Sequence, residues 1–292
     1  MDAMFRAAAS VLHLPFARPA ATLSGTLFRS GDFEVRLAAR KREIRKAQRL
    51  RYKVFYEEGD ATPDRTATLI RRDICPYDRV SDHLLVIDHA HRNRRGARKP
   101  KIVGCYRLLR DTVARKHDGF YTAQEFDLAP LLARHPGKRF LEMGRACVAT
   151  SHRNRHTLDL LWRGIGHYIR HYRIDVLIGC ASLPGTDPAA HAAALRFLTV
   201  DRRADDDFCA GALYASDAPF DAHAAPTLGP RAALALLPPL VKGYLRCGAV
   251  FGDGIAIDRQ FGTIDVLAIM PVDRIAPRYL QHFAGVPEVQ AA

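Results

Sequence analysis

A strand–helix–strand pattern over residues 140–181 constrains the fold of this chain more than any other feature. Residues 140–149 alternate weakly as a strand, residues 158–172 carry apolar side chains at helical spacing, and residues 174–181 form a short apolar run. Two strands that are joined by a helix lie parallel, and such strands are usually buried on both faces. The pattern therefore predicts a βαβ unit inside a mixed α/β sheet.

Further elements are predicted on both sides of this unit. A helix is expected from about residue 38, because apolar residues recur every three or four positions until Gly59 and Pro63. A β-hairpin is expected over residues 83–109, with a basic loop at 89–100. The remaining predictions are partial helix within 112–135, a helix over 188–198 with Asp187 as its N-cap, a short helix near 240–247 and a strand near 264–270.

The domain organisation predicted from the sequence is a single domain over residues 33–285 between two tails. Residues 1–32 are expected to be a flexible tail or an amphipathic surface helix, and residues 286–292 a C-terminal tail. The apolar run at 4–14 superficially resembles a signal peptide, but charged residues interrupt it and it has no convincing cleavage site. No stretch reaches the roughly 18 apolar residues of a spanning helix.

The chain is strongly basic, with a formal net charge of +13. Residues 36–53 hold nine Lys or Arg against one Glu, and residues 89–101 hold six more with no acid. These clusters are either solvated surfaces or a field that attracts nucleic acid, anionic lipid or an acidic carrier protein. A nucleic-acid-binding module would need stacking aromatic residues or a recognition helix, and neither arrangement is found. A binding site for nucleic acid is therefore not expected.

The six cysteines are scattered, with no C-x-x-C pair, so neither a zinc site nor a disulfide framework is expected. Reduced thiols are the simpler interpretation, and no metal is predicted. Cys180 and Ser182 are conceivable nucleophiles, but no G-x-S-x-G elbow accompanies them. Covalent catalysis is therefore not predicted.

Charged residues within apolar patterns mark candidate functional positions. Glu142 lies amid apolar neighbours in a predicted strand, and it is either a poised general base or half of an ion pair with Arg145. Arg51 falls on the apolar face of the first helix, and Arg107 lies inside a hairpin strand. A buried guanidinium needs an anion, although the Arg51 stem could instead reach solvent.

Two further features carry charge close to these positions. Asp78 and Asp82 precede the first hairpin strand, where they would hold basic side chains or an amino-acid cation, or serve as caps. The loop at 150–156 places basic side chains at a helix N-terminus, which favours an anion. The acetyltransferase signature Q/R-x-x-G-x-G/A fits poorly here, because His156 and Leu158 replace its small residues.

Nine segments occur in an order that resembles the ornithine N-acyltransferases of ornithine-lipid synthesis, sometimes called haemolysin-like proteins. The segments span most of residues 33–285: RLRYKVFYEE (49–58), DRVSDHLLVID (78–88), VGCYRLLRD (103–111), GFYTAQEFDL (119–128), LEMGRACV (141–148), LLWRGI (160–165), GCASLPGTDPAAHAAAL (179–195), GYLRCGAVFGDG (243–254) and DVLAIM (265–270). The framework R-x-x-V-F, an Asp pair and E-x-x-R also resembles the acyl-homoserine-lactone synthases.

This resemblance implies the GNAT acyltransferase fold, with a seven-stranded mixed sheet, helices on both faces and two parallel strands that splay to admit a pantetheine arm. Carried over position by position, it implies Glu142 as the catalytic base. The amino-acid acceptor would be bound by Arg51, Phe55, Asp78, Asp82, Arg107 and Arg145. Donor contacts are expected at Cys147, Val148, Arg153, Arg155 and Ser182.

The function implied is transfer of a 3-hydroxyacyl group from acyl-acyl carrier protein to the α-amine of L-ornithine, giving lyso-ornithine lipid. The expected partners are the acidic carrier protein and ornithine, with no permanently bound cofactor. The location implied is the cytoplasm, with peripheral contact to an anionic membrane as a further expectation. The alternatives are acylation of glycine or another amino acid, and acyl-homoserine-lactone synthesis from S-adenosylmethionine.

Overall fold

The chain is organised by one mixed sheet, seen in a computed structural model that describes residues 22–93, 95–213, 220–276 and 279. Within those ranges the sheet has nine strands in the order β1-β2-β3-β4-β5-β6-β9-β7, with β8 paired to β9. The strands are β1 (Thr26–Ser30), β2 (Phe33–Leu37), β3 (Asp82–Asp88), β4 (Lys101–Arg110), β5 (Phe140–Val148), β6 (Val176–Pro184), β7 (Val250–Phe251), β8 (Ala256–Asp258) and β9 (Thr263–Pro271).

Eight α-helices connect and cover these strands in the described residues. They are α1 (Lys41–Tyr52), α2 (Arg65–Ile70), α3 (Asp111–Ala114), α4 (Ala129–Arg134), α5 (Arg155–Tyr172), α6 (Ala192–Arg196), α7 (Pro230–Leu236) and α8 (Pro239–Arg246). Among the described strands, β5 and β6 form the parallel pair and every other pairing is antiparallel. The predicted βαβ unit is therefore confirmed as β5-α5-β6.

The hairpin β1-β2 was not predicted, and it makes the sheet larger than the seven strands that the resemblance implies. Its two-residue turn is Gly31-Asp32, with Gly31 at φ 56°, and Ser30 pairs with Phe33. A Gly-Asp pair is a known hairpin signal, but the flanking strands lack a clean apolar alternation. The sheet thus includes residues 26–30 of the predicted tail, while residues 1–21 and 286–292 lie outside the described part of the chain.

Other predicted elements are confirmed with changed boundaries. The hairpin β3-β4, the short helix α8 and the strand β9 lie where they were expected. The first helix ends at Tyr52 and continues as a π-helical turn, Lys53–Glu57. The helix predicted at 188–198 is split into a 3-10 turn, α6 and a π-helical turn, and the Asp187 side chain accepts the Ala189 amide as an N-cap does.

Helices lie on both faces of the sheet, with α5 and α8 in the core of one face and α4 in the core of the other. Successive residues of β4 point to opposite faces. Gly104 faces Leu161 of α5, and the Tyr106 hydroxyl lies 2.8 Å from that of Tyr244 on α8. Arg107 points the other way and contacts Cys75. In the described ranges no helix is both long and apolar enough to cross a bilayer.

A buried ion pair fastens α1 to the turn that precedes β3. Arg51 is 1% exposed, and its two terminal nitrogens donate to the two carboxylate oxygens of Asp78 at 2.9 and 2.6 Å. Arg51 Nε also lies 2.7 Å from Asp73 Oδ2. Burial alone would raise the pKa of Asp78, but the guanidinium and the Gln48 amide lower it to about 2. The carboxylate is therefore ionised whenever the protein is folded at neutral pH.

The glycine at position 179 sets the closest approach of β5 to β6. A Cβ atom at Gly179 would lie 2.4 Å from the Met143 carbonyl oxygen, which real Cβ atoms essentially never do. Any larger side chain must therefore shift the Met143 carbonyl away from β6 at the point where the parallel pairing ends.

We expect Gly179→Ala to lower the free energy of unfolding by about 1–3 kcal/mol, because the added methyl group overpacks the strand contact. Gly243→Ala in α8 is the matched control, since nothing lies within 4 Å of the position of its Cβ. The control should raise the free energy by about 0.5–1 kcal/mol through helix propensity. Urea unfolding measures both variants, and a Gly179→Ala protein as stable as the wild type would contradict the contact.

We expect Arg51→Met to lower the free energy of unfolding by about 3–5 kcal/mol, because Asp78 would remain buried without its cation. Arg71→Met is the control, since its partner Glu57 forms an exposed ion pair that contributes little. Urea unfolding at pH 7 compares the two variants. Similar small losses in both would mean that the buried pair does not hold the first helix.

Candidate active site

The central opening of the sheet lies where β5 and β6 separate. The two strands are paired only from Phe140 to Glu142 on β5 and from Val176 to Ile178 on β6. Beyond these residues β5 stays paired with β4, whereas β6 stays paired with β9. A wedge therefore opens at the carboxyl ends of two parallel strands, which is where α/β sheets place ligands.

A β-bulge lies on the edge of this wedge. Two residues of β5, Arg145 and Ala146, oppose the single residue Tyr106 of β4. Arg145 has a φ of 53°, a left-handed conformation that costs a residue with a side chain about 1–3 kcal/mol. A bulge takes backbone groups out of the ladder, so this stretch of β5 has amides to offer a ligand.

A cavity of about 340 Å³, which we call the polar cavity, lies at the wedge. Its volume is at the lower end of the range for small-molecule sites. Charged and aromatic side chains of both signs line it, including Phe55, Arg107, Tyr121, Glu142, Arg145, Asp258, Phe261 and Asp265. It can therefore hold a small molecule that carries both an anionic and a cationic group.

A second cavity, of about 520 Å³, adjoins the first, and we call it the apolar cavity. Both cavities are lined by Val54, Ala146 and Leu240, so they meet at the bulge. The remaining lining residues of the apolar cavity include Tyr106, Cys147, Val148, Arg153, Arg155, Leu158, Pro238 and Pro239. An extended ligand can therefore run from the N-terminus of α5 to the polar cavity.

Arg107 presents an unpaired donor to the polar cavity. Its Nη1 donates to Cys75 Sγ at 2.9 Å and lies 4.0 Å from Asp78 Oδ1. Its Nη2 is buried and finds no hydrogen-bond partner among the described residues. Gly144 keeps the approach open, since a Cβ there would lie 3.3 Å from this Nη2. Because a buried unpaired donor is costly, Nη2 is suited to bind an anion that arrives with a ligand.

Arg145 is held over two aromatic rings at the same cavity. Its guanidinium carbon lies 4.7 Å from the centroid of Tyr121 and 4.4 Å from that of Phe261, and its Nε is 3.4 Å from Asp73 Oδ2. Burial alone would lower the pKa of Arg145, but Tyr121 and Asp73 raise it. This cation is therefore permanent and held in place by its neighbours.

Glu142 is a buried carboxylate, 2% exposed, at the point where the strands separate. One of its oxygens accepts the Tyr121 amide at 3.1 Å and the other accepts the Thr122 amide at 2.6 Å. A carboxylate has about four acceptor positions, so one on each oxygen remains for a ligand. The ion pair with Arg145, the alternative to a general base, is not formed, and the Tyr121 and Thr122 amides bind the carboxylate instead.

An acidic pair, Glu125 and Asp265, lies beside Cys180, and one ligand atom from each of the three falls within 4.8 Å of the others. Cys180 Sγ donates to Glu125 Oε2 at 3.2 Å. Burial raises the pKa of Glu125 to about 7, with Asp265 and Asp258 adding to the effect. Burial also raises the pKa of Asp265. At neutral pH the pair therefore shares fewer than two negative charges.

Sequence reasoning did not identify this acidic pair. Asp265 had a usable signal, since it is a carboxylate inside the apolar run of β9 and is 4% exposed. Glu125 had no such signal in the sequence, because acidic residues are common in the loops of soluble proteins. The register of β6 against β9, with Ser182 opposite Asp265, brings Asp265 to the wedge, and Glu125 reaches it from the end of the turn Tyr121–Gln124.

Most of the predicted site residues gather around the two cavities. The polar cavity is lined by Phe55, Arg107, Glu142, Arg145 and Ser182, and the apolar cavity by Cys147, Val148, Arg153 and Arg155. Arg51 and Asp78 line neither cavity and lie together beneath Arg107. Arg153 is partly committed already, since its Nη2 donates to Glu58 at 2.7 Å.

Asp82, like Arg51 and Asp78, is predicted to bind the acceptor but does not line the polar cavity, and it lies on the α5 side of the sheet. Its Oδ2 accepts the Tyr168 hydroxyl at 2.6 Å and lies 3.6 Å from Arg110 Nη2. Asp82 is the first residue of β3 and turns toward α5, whereas Asp78 turns toward α1. Their four-residue spacing therefore does not make them a pair.

The acidic pair with Cys180 is also the group of described residues that could hold a metal ion. Thiol ligands bind metals as thiolates. Burial and the neighbouring carboxylates raise the pKa of Cys180 well above its usual value, so its thiol is protonated unless a metal displaces the proton. Two carboxylates without a thiolate suit a cation with hydrogen-bond donors better than a soft metal.

Comparison with known proteins identifies close relatives. Residues 50–163 match the family model described as an acetyltransferase (GNAT) domain. The L-ornithine N(alpha)-acyltransferase of Agrobacterium fabrum is 44% identical over 279 residues, covering 96% of this chain and 94% of the relative. The enzymes of the same name from Rhizobium meliloti and Brucella abortus are each 44% identical, covering 91% and 89% of this chain and 89% and 91% of the relatives.

Solved structures with a related backbone are more distant. FeeM, an N-acyl amino acid synthase from uncultured soil microbes, superposes with a TM-score of 0.48 at 11% identity, covering 83% of this chain and 93% of that one. The AHL synthase LasI superposes with a TM-score of 0.45 at 12% identity, covering 89% and 98%.

The identity to the curated relatives extends over nearly the whole chain, and the wedge, the bulge and the two adjoining cavities lie within that shared length. The chain is an acyltransferase with the GNAT fold, and it belongs to the L-ornithine Nα-acyltransferase family.

Proposed function

We propose that this enzyme transfers a 3-hydroxyacyl group from acyl-acyl carrier protein to the α-amine of L-ornithine, giving lyso-ornithine lipid. The observation that carries the proposal is the polar cavity, where buried Glu142 and the unpaired Nη2 of Arg107 face one space. The names of the relatives support ornithine as the acceptor. An amino acid brings a carboxylate for the cation and an ammonium for the anion.

The α-carboxylate of the acceptor is assigned to Arg107, with Arg145 close by. Arg107 Nη2 lacks a partner among the described residues, and a carboxylate oxygen would complete its hydrogen bonding. This contact would turn the α-ammonium toward Glu142, which lines the same cavity. Binding energy from the carboxylate is thus used to orient the nucleophile.

Glu142 acts as the general base in this proposal. It accepts one proton from the α-ammonium, and the neutral nitrogen then attacks the thioester carbonyl carbon. The carbonyl oxygen becomes an oxyanion, which backbone amides at residues 145–149 would stabilise. The C–S bond breaks as the amide forms, and a second proton from the nitrogen ends on the thiolate. The products are the N-acyl amino acid and free carrier thiol.

The donor is assigned to the apolar cavity. Pantetheine would pass Cys147 and Val148, with its phosphate near Arg153 and Arg155 at the N-terminus of the 18-residue helix α5. Leu158 stands where the acetyltransferase signature has a small residue, and it lines this cavity. A single phosphate needs less room there than the pyrophosphate of coenzyme A, which favours a carrier-bound donor.

The carrier protein is assigned to a basic surface of the enzyme. Six basic residues of α1 and its N-cap are exposed, namely Arg40, Lys41, Arg42, Arg45, Lys46 and Arg49. A second exposed group follows β3 and consists of Arg92, Arg95, Arg98, Lys99 and Lys101. An acidic carrier protein would be attracted to either surface, and the attraction would weaken as salt screens it.

We expect Glu142→Gln to lower kcat by roughly 10²-fold or more, the usual loss when a general base is removed. Steady-state acylation of ornithine measures this, and Glu34→Gln, another buried carboxylate, is the matched control. Hydroxylamine as acceptor separates catalysis from structure, because it is already neutral at neutral pH and needs no base. If the variant acylates hydroxylamine as poorly as ornithine, Glu142 acts through the turn that it holds.

We expect the KM for acyl-acyl carrier protein to rise steeply between low and high salt, while the KM for acyl-coenzyme A changes less. Arg45→Glu or Arg98→Glu should raise only the carrier KM, by roughly an order of magnitude for the surface that docks. Arg231→Glu on α7 is the control, since that arginine is also exposed. Equal efficiency with the two thioesters at matched chain length would refute the carrier preference.

A further inference from the structure

The acidic pair has no role in the transfer step as described above, yet one of its members lines the polar cavity. Asp265 lines the polar cavity and is 4% exposed, and its Oδ1 is buried with no hydrogen-bond partner in the part of the chain that the structure describes. Glu125 lies directly behind it, within 4.8 Å through their ligand atoms. An unpaired buried carboxylate oxygen is costly unless a ligand supplies a donor.

The protein itself supplies too little positive charge for these two carboxylates. Arg145 lowers the pKa of both Glu125 and Asp265, but burial outweighs it and the net shift is upward for each. Arg145 is also committed to two aromatic rings and to Asp73. A cation that enters the cavity would favour the ionised form of both carboxylates, and an ammonium hydrogen would give the unpaired Asp265 oxygen its missing partner.

We propose that Asp265, backed by Glu125, binds the side-chain ammonium of the acceptor and makes the enzyme select a diamino acid. This inference rests on the proposed transfer to an amino acid, and it adds the residue that binds the side-chain amine of that amino acid. The cavity then meets all three charges of ornithine: Arg107 for the carboxylate, Glu142 for the α-ammonium and Asp265 for the δ-ammonium. Asp265 thus takes the role in acceptor binding that was predicted for Asp82, whose side chain contacts Tyr168 of α5.

The chemistry of the pair limits the selectivity that it can produce. A site built for a polar group rejects an analogue without it, because the buried partner is left unpaired. Here the pair can take up a proton instead, so that Glu125 donates to its neighbour and part of the penalty is relieved. We therefore expect roughly 10²-fold preference for ornithine over norvaline, which has the same carbon chain without the δ-amine.

The same property makes the selectivity depend on pH. The pKa of Glu125 is raised to about 7, so below this pH the pair carries less negative charge and attracts an ammonium less. The ornithine-to-norvaline ratio should fall as the pH drops from about 8 to about 6, in the range of that pKa. The charged and titratable groups that face Glu125 are Asp265 on β9, Asp258 on β8, Cys180 on β6, Arg145 on β5 and Tyr121 in the preceding turn.

The experiment is to measure kcat/KM for ornithine and norvaline with the full chain and its variants. Asp265→Asn should reduce the ratio from roughly 10² toward one, mainly by loss on ornithine, and Glu125→Gln should reduce it in part and remove its pH dependence. Asp111→Asn is the matched control, because Asp111 is also 4% exposed with a raised pKa but lies outside the cavity. It should keep the wild-type ratio.

The outcomes separate this inference from the proposed function. Wild-type enzyme that acylates neither amino acid would overturn the proposed function itself. Wild-type enzyme that uses both equally, or an Asp265→Asn protein that loses both equally, would overturn only the subsite. So would a collapse of the ratio in Asp82→Asn but not in Asp265→Asn. Melting curves accompany each variant, and Glu125→Gln carries the test if Asp265→Asn does not fold.

A metal ion is the competing occupant of the acidic pair. The assay is therefore repeated after treatment with EDTA and with added Zn²⁺. Selectivity for ornithine that survives EDTA supports an ammonium subsite. Selectivity that disappears with EDTA and returns with Zn²⁺ would overturn it in favour of a metal site.

Discussion

The buried ion pair between Arg51 and Asp78 is the interaction on which the rest of the site depends. It brings α1 against the turn before β3, and that turn places Cys75 and Asp78 beside Arg107. The pair satisfies its own charges almost completely, with Asp73 and Gln48 completing the bonds. Arg107 keeps a donor for the cavity, because no described residue forms a hydrogen bond with its Nη2.

The divergence of β5 and β6 converts that layer into a site. Parallel strands normally hide their backbone along their whole length, but here pairing stops after Glu142 and a bulge follows at Arg145. Groups that would otherwise be satisfied within the protein are left facing a cavity, namely Arg107 Nη2 and Asp265 Oδ1. The cost of leaving them unpaired is offset by the stability of the closed part of the sheet.

The two cavities differ in the kind of ligand that they can hold. The apolar cavity is bounded by aliphatic side chains and by the N-terminus of α5, and it suits a long thioester arm. The charged residues that line the polar cavity come from four strands and one loop, and this cavity suits a small zwitterion. Both cavities are lined by Val54, Ala146 and Leu240. A thioester carbonyl at the bulge would therefore lie within reach of a small molecule in the polar cavity.

The sequence by itself determined the βαβ unit and the β3-β4 hairpin through their apolar periodicity. It also marked Glu142, Arg107 and Arg145 as candidate functional residues, because a charge inside an apolar run must be paired or functional. It also indicated the family, through the order of nine segments. Only the tertiary structure decided which charges meet. Asp78 and Asp82 are four residues apart yet turn to different helices, whereas Glu125 and Asp265 are 140 positions apart and become neighbours. Local periodicity fixes the face on which a side chain lies, but contacts across a sheet depend on strand register and on where two strands separate.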